Sequence, residues 1–157
     1  MSTPFDIPIT QPSSGASLRS FQGELADGAY ISGSTNPIVW AGLQLKEPST
    51  IGWDGTTFTA TADDEGLWYF YMEIVMEGNS NPARTATLYL QNLSPTSSNG
   101  IYGTVMTNYS ANIIGYTTLN LSGMVQVESG FKYRFRLNGT TTSSLYGNSM
   151  RAGGFKI

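Results

Sequence analysis

Leu67-Trp68-Tyr69-Phe70-Tyr71-Met72-Glu73-Ile74-Val75-Met76 is the stretch on which the fold turns. Taken at a strand's period of two, it puts Trp68, Phe70, Met72, Ile74 and Met76 on one face and Leu67, Tyr69, Tyr71, Glu73 and Val75 on the other. Both faces are bulky and mostly apolar. A strand of an antiparallel sandwich needs one buried face and can leave the other to water. The second face here must therefore meet something: a cap, a ligand or another subunit. Tyrosine suits a subunit contact, because its large apolar ring carries a hydroxyl that tolerates water. The alternative is coverage by the chain's own loops or N-terminal segment.

Segments further along alternate with one apolar face only. In Phe131 to Leu137, the residues Phe131, Tyr133, Phe135 and Leu137 share one face, and Lys132, Arg134 and Arg136 share the other. In Thr118 to Val127, Leu119, Leu121, Val125 and Val127 oppose Thr118, Asn120, Ser122, Met124 and Gln126. Turn clusters separate such runs: Trp53-Asp54-Gly55, Asp63-Asp64-Glu65-Gly66, Gly78-Asn79-Ser80-Asn81-Pro82, Ser97-Ser98-Asn99-Gly100, Glu128-Ser129-Gly130 and Asn138-Gly139. Short alternating runs between regular turns, without a long helical pattern, predict an all-β antiparallel sandwich or barrel.

The chain is 157 residues long, enough for one domain with a proper core. It contains no cysteine and no histidine. Disulfides, thiol nucleophiles, imidazole bases, Ser-His-Asp triads and Cys or His zinc sites are thereby excluded. Charged residues make up 12% of the chain, the net charge is −3, and there is no basic run. Nucleic-acid and anionic-membrane binding lack their usual electrostatic footprint, and no apolar run of transmembrane length occurs. The polar content is Ser, Thr, Asn and Gly, which suits turns, solvated strand faces and adaptable contacts. Sequons at Asn92, Asn108, Asn120 and Asn138 read as chance in so Asn- and Thr-rich a chain.

Three regions follow. Residues 1–20 form an extended Pro-rich arm, punctuated by Pro4, Pro8 and Pro12, which proline keeps out of helices and central strands. Phe5, Ile7 and Ile9 alternate in it and could present three apolar groups to one groove. Residues 21–36 read as an irregular connector with room for a short strand. Residues 37–157 are the head. Met1 to Thr10 has no basic stretch followed by an apolar one, so the reading expects no signal peptide.

The head resembles the tumour necrosis factor and complement globular-head superfamily. Glu65-Gly66-Leu67-Trp68-Tyr69-Phe70-Tyr71 is similar to its Gly-hydrophobic-Tyr-hydrophobic-hydrophobic-Tyr strand. Trp53 to Ala60 resembles the strand before it, and Ala86 to Asn92 the strand after it. Leu119 to Gly130 resembles the later Leu-x-x-Gly-Asp segment, with Glu128-Ser129-Gly130 departing from the usual Gly-Asp. Gly153-Gly154-Phe155-Lys156-Ile157 resembles the closing strand. Residues 1–36 contain no collagen-like Gly-x-y repeat. The resemblance implies a jelly roll that forms a homotrimer, with Leu67, Tyr69, Tyr71 and Phe155 at the subunit interface.

Candidate chemistry is thin. Asp63-Asp64-Glu65 offers hard oxygens for calcium but reads as a solvated turn, so no metal site is expected. Glu73 and Glu77 could serve as carboxylates, yet nothing pairs them around a cleft. No catalytic residue, no cofactor and no enzymatic activity are expected. Lys132, Arg134 and Arg136 make a basic stripe that could meet an acidic partner or simply be solvated. Stretches 92–112 and 138–148 read as exposed loops, with Tyr102, Tyr109 and Tyr146 as candidate recognition residues, possessing the aromatic, amide and hydroxyl groups that sugars favour. The functional expectation is a non-enzymatic bacteriophage virion protein: a trimeric capsid decoration, head-fibre or tail-tip protein. Its arm would dock on other virion proteins and its head would face outward, towards a host-surface glycan. The alternative is a secreted or surface bacterial glycan- or receptor-binding trimer.

Overall fold

A computed structural model of the chain describes residues 18–25, 34–35, 37–78, 85–111, 115–139 and 150–157. Among these residues ten strands form: β1 (Ser20–Glu24), β2 (Ser34–Thr35), β3 (Gln44–Glu47), β4 (Thr57–Thr59), β5 (Gly66–Gly78), β6 (Thr85–Leu93), β7 (Gly103–Ala111), β8 (Gly115–Val127), β9 (Lys132–Gly139) and β10 (Arg151–Lys156). Helix among them is limited to one 3-10 turn at Ala62–Asp64, and none is long and apolar enough to cross a membrane.

The strands pair antiparallel in two sheets. The first runs β3-β1-β10-β5-β8, and the second runs β2-β9-β6-β7 with β4 also paired to β9. From β5 onwards the chain passes to the second sheet for β6 and β7, returns for β8, leaves for β9 and closes with β10. This alternation between facing sheets is a jelly roll.

The alternating residues meet between the sheets. Trp68, Phe70, Met72 and Ile74 of β5 and Leu119, Leu121, Val125 and Val127 of β8 face Leu88 and Leu90 of β6 and Tyr133, Phe135 and Leu137 of β9, all buried. Rings dominate one end: Phe21 stacks on Trp53 at 4.6 Å, and the Phe58 and Trp68 rings meet at a tilt, 4.8 Å apart. Each fully buried aromatic contributes roughly 1.5–3 kcal/mol from area alone. The Trp53-Asp54-Gly55 turn is fixed by the Asp54 carboxylate, which accepts from the N–H groups of Thr56 and Thr57 at 2.8 and 2.6 Å.

Two local readings are corrected, and the short strand for which a third left room is located. Where the connector reading left room for a short strand, β1 lies between β3 and β10 and buries Phe21, and Leu25 just after it is buried too. Its pattern is weak in sequence because the residue between them on the same face is Gly23. A Cβ there would approach the Trp40 Cβ to 2.7 Å, so packing requires the glycine that hides the strand. Residues Gly103–Ala111, read as loop, form the edge strand β7 on β6. Val105 and Met106 pack against the core, while Thr104, Thr107 and Tyr109 supply the β-favouring composition of a solvated edge. The acidic turn is only partly solvated: Asp63 and Glu65 are exposed, but Asp64 is fully buried. Its carboxylate accepts from Arg19 Nε at 2.7 Å, a partner 45 residues away that local sequence cannot reveal.

Candidate subunit-contact face

The outer face of the first sheet is assembled by register. Tyr69 on β5 stands opposite Met124 on β8 and opposite Phe155 on β10, so the three form one row across three strands. The Tyr69 and Phe155 rings are 5.3 Å apart. Leu67 lies one step along the same face, and the Ile157 N–H donates to its carbonyl at 2.9 Å. These apolar groups stand in water: Met124 is 65% exposed, Ile157 64%, Leu67 41% and Phe155 40%. The described chain supplies no cover for them.

The next row is polar and tightly fitted. Tyr71 stands opposite Gly153, and Gly153 opposite Gln22 on β1. The Tyr71 ring crosses the glycine, and its hydroxyl donates to Gln22 Oε1 at 2.7 Å. A Cβ at position 153 would lie 2.8 Å from that hydroxyl oxygen and would also collide with the Phe21 carbonyl, so the crossing needs glycine. Gln22 Nε2 in turn donates to Glu24 Oε1 at 3.2 Å. Burial pushes the Tyr71 hydroxyl above its ordinary pKa; Arg151 opposes the shift and Glu24 adds to it. One row further, Glu24, Arg151, Glu73 and Asn120 are successive cross-strand neighbours, an alternation of charge that favours pairing on a sheet face. Tyr71, Glu73, Asn120, Ser122 and Arg151 line an open groove of about 430 Å³ beside the apolar row.

The architecture has counterparts among solved structures. The crystal structure of murine APRIL at pH 5.0 superposes with a TM-score of 0.62 at 13% identity, covering 89% of this chain and 99% of that one. The globular domain of zebrafish complement 1qA superposes with a TM-score of 0.59 at 15% identity, covering 88% of this chain and 96% of that one. The fold is the tumour-necrosis-factor and complement-1q type of jelly roll. No family model and no curated protein matches the sequence itself.

Within this tumour-necrosis-factor-like jelly roll, Leu67, Tyr69, Tyr71 and Phe155 all lie on the outer face just described. Met124, Ile157, Gln22 and Arg151 share it and were not singled out from sequence. Met124 sits among polar neighbours in its own strand, and only its register opposite Tyr69 reveals its place. The other candidates are elsewhere. Tyr109 is exposed on β7, opposite Thr87, and Tyr102 stacks on Arg134 at 3.4 Å, both on the second sheet's side of the molecule. Tyr146 and the arm residues Phe5, Ile7 and Ile9 lie outside the described residues.

Proposed function

We propose that the chain is a non-enzymatic homotrimeric binding module whose subunits meet through the outer face of the first sheet. The observation that carries this reading is the row Met124–Tyr69–Phe155, flanked by Leu67 and Ile157, left in water beside a polar, hydrogen-bonded row. A contiguous apolar patch with aromatic residues and a polar margin has the make-up of an interface centre and rim. The resemblance to tumour-necrosis-factor heads supports a threefold arrangement, three copies closing one repeated contact around an axis. The groove of Tyr71, Glu73, Asn120, Ser122 and Arg151 then forms the polar part of that contact, where paired charges fix register more than they add affinity.

In the finer form of this proposal the module is a bacteriophage virion protein, with the N-terminal arm, residues 1–20, docking on capsid or tail through Phe5, Ile7 and Ile9. The supporting feature is the Pro-rich arm with three alternating apolar residues. Native mass spectrometry tests the trimer. Wild type is expected as three 16.9 kDa chains, and Tyr69→Glu/Phe155→Glu as one, because buried unpaired carboxylates cost several kcal/mol. A wild-type monomer sinks the proposal. Removing residues 1–17 should leave the trimer intact and abolish binding to particles. A module of the secreted or surface type would instead keep its ligand binding after that deletion.

A further inference from the structure

The second sheet has a charge pattern of its own. Strands β2, β4, β6, β7 and β9 contain no aspartate and no glutamate, and their only charges are Lys132, Arg134 and Arg136. This is a concentration of positive charge in a chain whose net charge is −3. Tyr133, Phe135 and Leu137 take the inner face of β9, so the three cations share its outer face. Among the described residues the ion pairs join Arg19 to Asp63 and Asp64; none involves these three.

Aromatic and amide groups hold the guanidinium groups in place. Arg134 Cζ lies 3.4 Å from the centre of the Tyr102 ring, and its Nε donates to Gln91 Oε1 at 3.3 Å. Arg136 Cζ lies 5.6 Å from the Tyr89 ring, and its Nε is buried with no hydrogen-bond partner. Stacking on a ring fixes the plane of a guanidinium and leaves its forked N–H edge for an acceptor. Burial pulls the Arg134 pKa below its ordinary value, Tyr102 resists the shift, and the charge of Arg136 adds to it. An anion seated beside both would relieve that repulsion.

We propose that this face binds an acidic polysaccharide, with sugar carboxylates on Arg134 and Arg136 and sugar rings against Tyr89 and Tyr109. Charge complementarity selects an anion, and the surroundings select a sugar. Thr57 and Thr59 on β4 stand opposite Arg134 and Lys132, and Thr87 and Thr107 stand opposite Tyr109 and Tyr89, giving hydroxyls to meet hydroxyls beside aromatic rings. An acidic peptide would gain most by adding to a sheet edge through its backbone. Here the three cations stand on β9, an interior strand separated from the β7 edge by β6, so a peptide added at that edge would not reach them through its backbone. Three cations are also few for a nucleic-acid backbone, whose binding grows with each phosphate neutralised. The face lies on the opposite sheet from the proposed subunit contact, so the inference stands independently of the trimer. In a trimer, three such sites would act together on one polymer.

The test is binding of the full chain to immobilised hyaluronan, a carboxylated and unsulfated polysaccharide, with neutral dextran, polyglutamate and oligothymidylate alongside. Hyaluronan is expected to bind and dextran not. Arg134→Gln/Arg136→Gln should weaken hyaluronan binding about tenfold or more, and Arg134→Lys/Arg136→Lys should restore it only in part, since lysine lacks the fork. Lys132→Gln and Tyr109→Ala alter exposed side chains; each should weaken binding roughly threefold and carries the test if the arginine variants do not fold. Hyaluronan left unbound overturns the proposal. So does binding that survives all these variants, or polyglutamate or oligothymidylate binding equally well for its charge.

Discussion

Asp64 is a single residue whose environment makes a measurable claim. Its carboxylate accepts from Arg19 Nε at 2.7 Å, from the Thr61 N–H at 2.8 Å and from the Thr61 hydroxyl at 2.7 Å, while its carbonyl accepts from the Trp68 indole at 2.6 Å. Burial alone would raise its pKa. The Arg19 hydrogen bond, the two bonds from Thr61 and the Arg19 charge outweigh burial and hold it below its ordinary value. A depressed carboxylate adds stability above its unfolded pKa and loses it as pH falls through the folded one. Wild type should therefore lose stability on acidification below about pH 4. Asp64→Asn should cost about 3 kcal/mol at pH 7, where it strands a mostly buried arginine, and should flatten the acid limb. Urea titrations at a series of pH values measure both effects, and an unchanged acid limb would remove Asp64 from the account. The same pair sets where the chain enters the head, because Arg19 immediately precedes β1.

At the scale of elements, β5, β10 and β1 are locked by Tyr71 crossing Gly153 to reach Gln22. Gly153→Ala should cost about 1–3 kcal/mol by overpacking, and Tyr71→Phe about 1 kcal/mol through one lost hydrogen bond. The two should be less than additive, since the alanine already displaces the hydroxyl that the phenylalanine removes. A double-mutant cycle by denaturant melts decides; strict additivity would mean the crossing does not couple these strands. How far the sequence could lead is clear from these same elements. Strands β5, β8 and β9 are legible because large apolar residues recur every second position. Strand β1 is not, since close packing placed Gly23 where the pattern needed bulk, and β7 is not, since an edge strand can be as polar as a loop. The gathering of Leu67, Tyr69, Tyr71 and Phe155 on one face follows from alternation combined with family resemblance. Met124 and Arg151 join them through pairings across strands far apart in the chain, and the rings beneath Arg134 and Arg136 are hidden for the same reason. Periodicity says which way a side chain points and nothing about what stands beside it.

Over the whole molecule, the two sheets turn different chemistry outward. The first presents apolar rows with mixed charge, and the second presents cations with rings and hydroxyls. If the first face closes a trimer, folding and association are linked, and stability must depend on protein concentration. For a folded trimer in equilibrium with unfolded chains, a hundredfold rise in concentration adds about 2 kcal/mol per chain. That corresponds to a melting temperature about 4–7 °C higher for a domain of this size. Tyr69→Glu/Phe155→Glu should melt lower and lose the concentration dependence, because its charges oppose closure of the apolar row. Arg134→Gln/Arg136→Gln should keep the dependence, because its changes lie on the opposite sheet. Thermal melts of the three proteins across a hundredfold concentration range separate the two faces. A wild-type melting temperature that stays constant over that range would mean that the row Met124–Tyr69–Phe155 is not buried by self-association, whereas loss of the dependence in the arginine variant would mean that the subunit contact extends onto the second sheet.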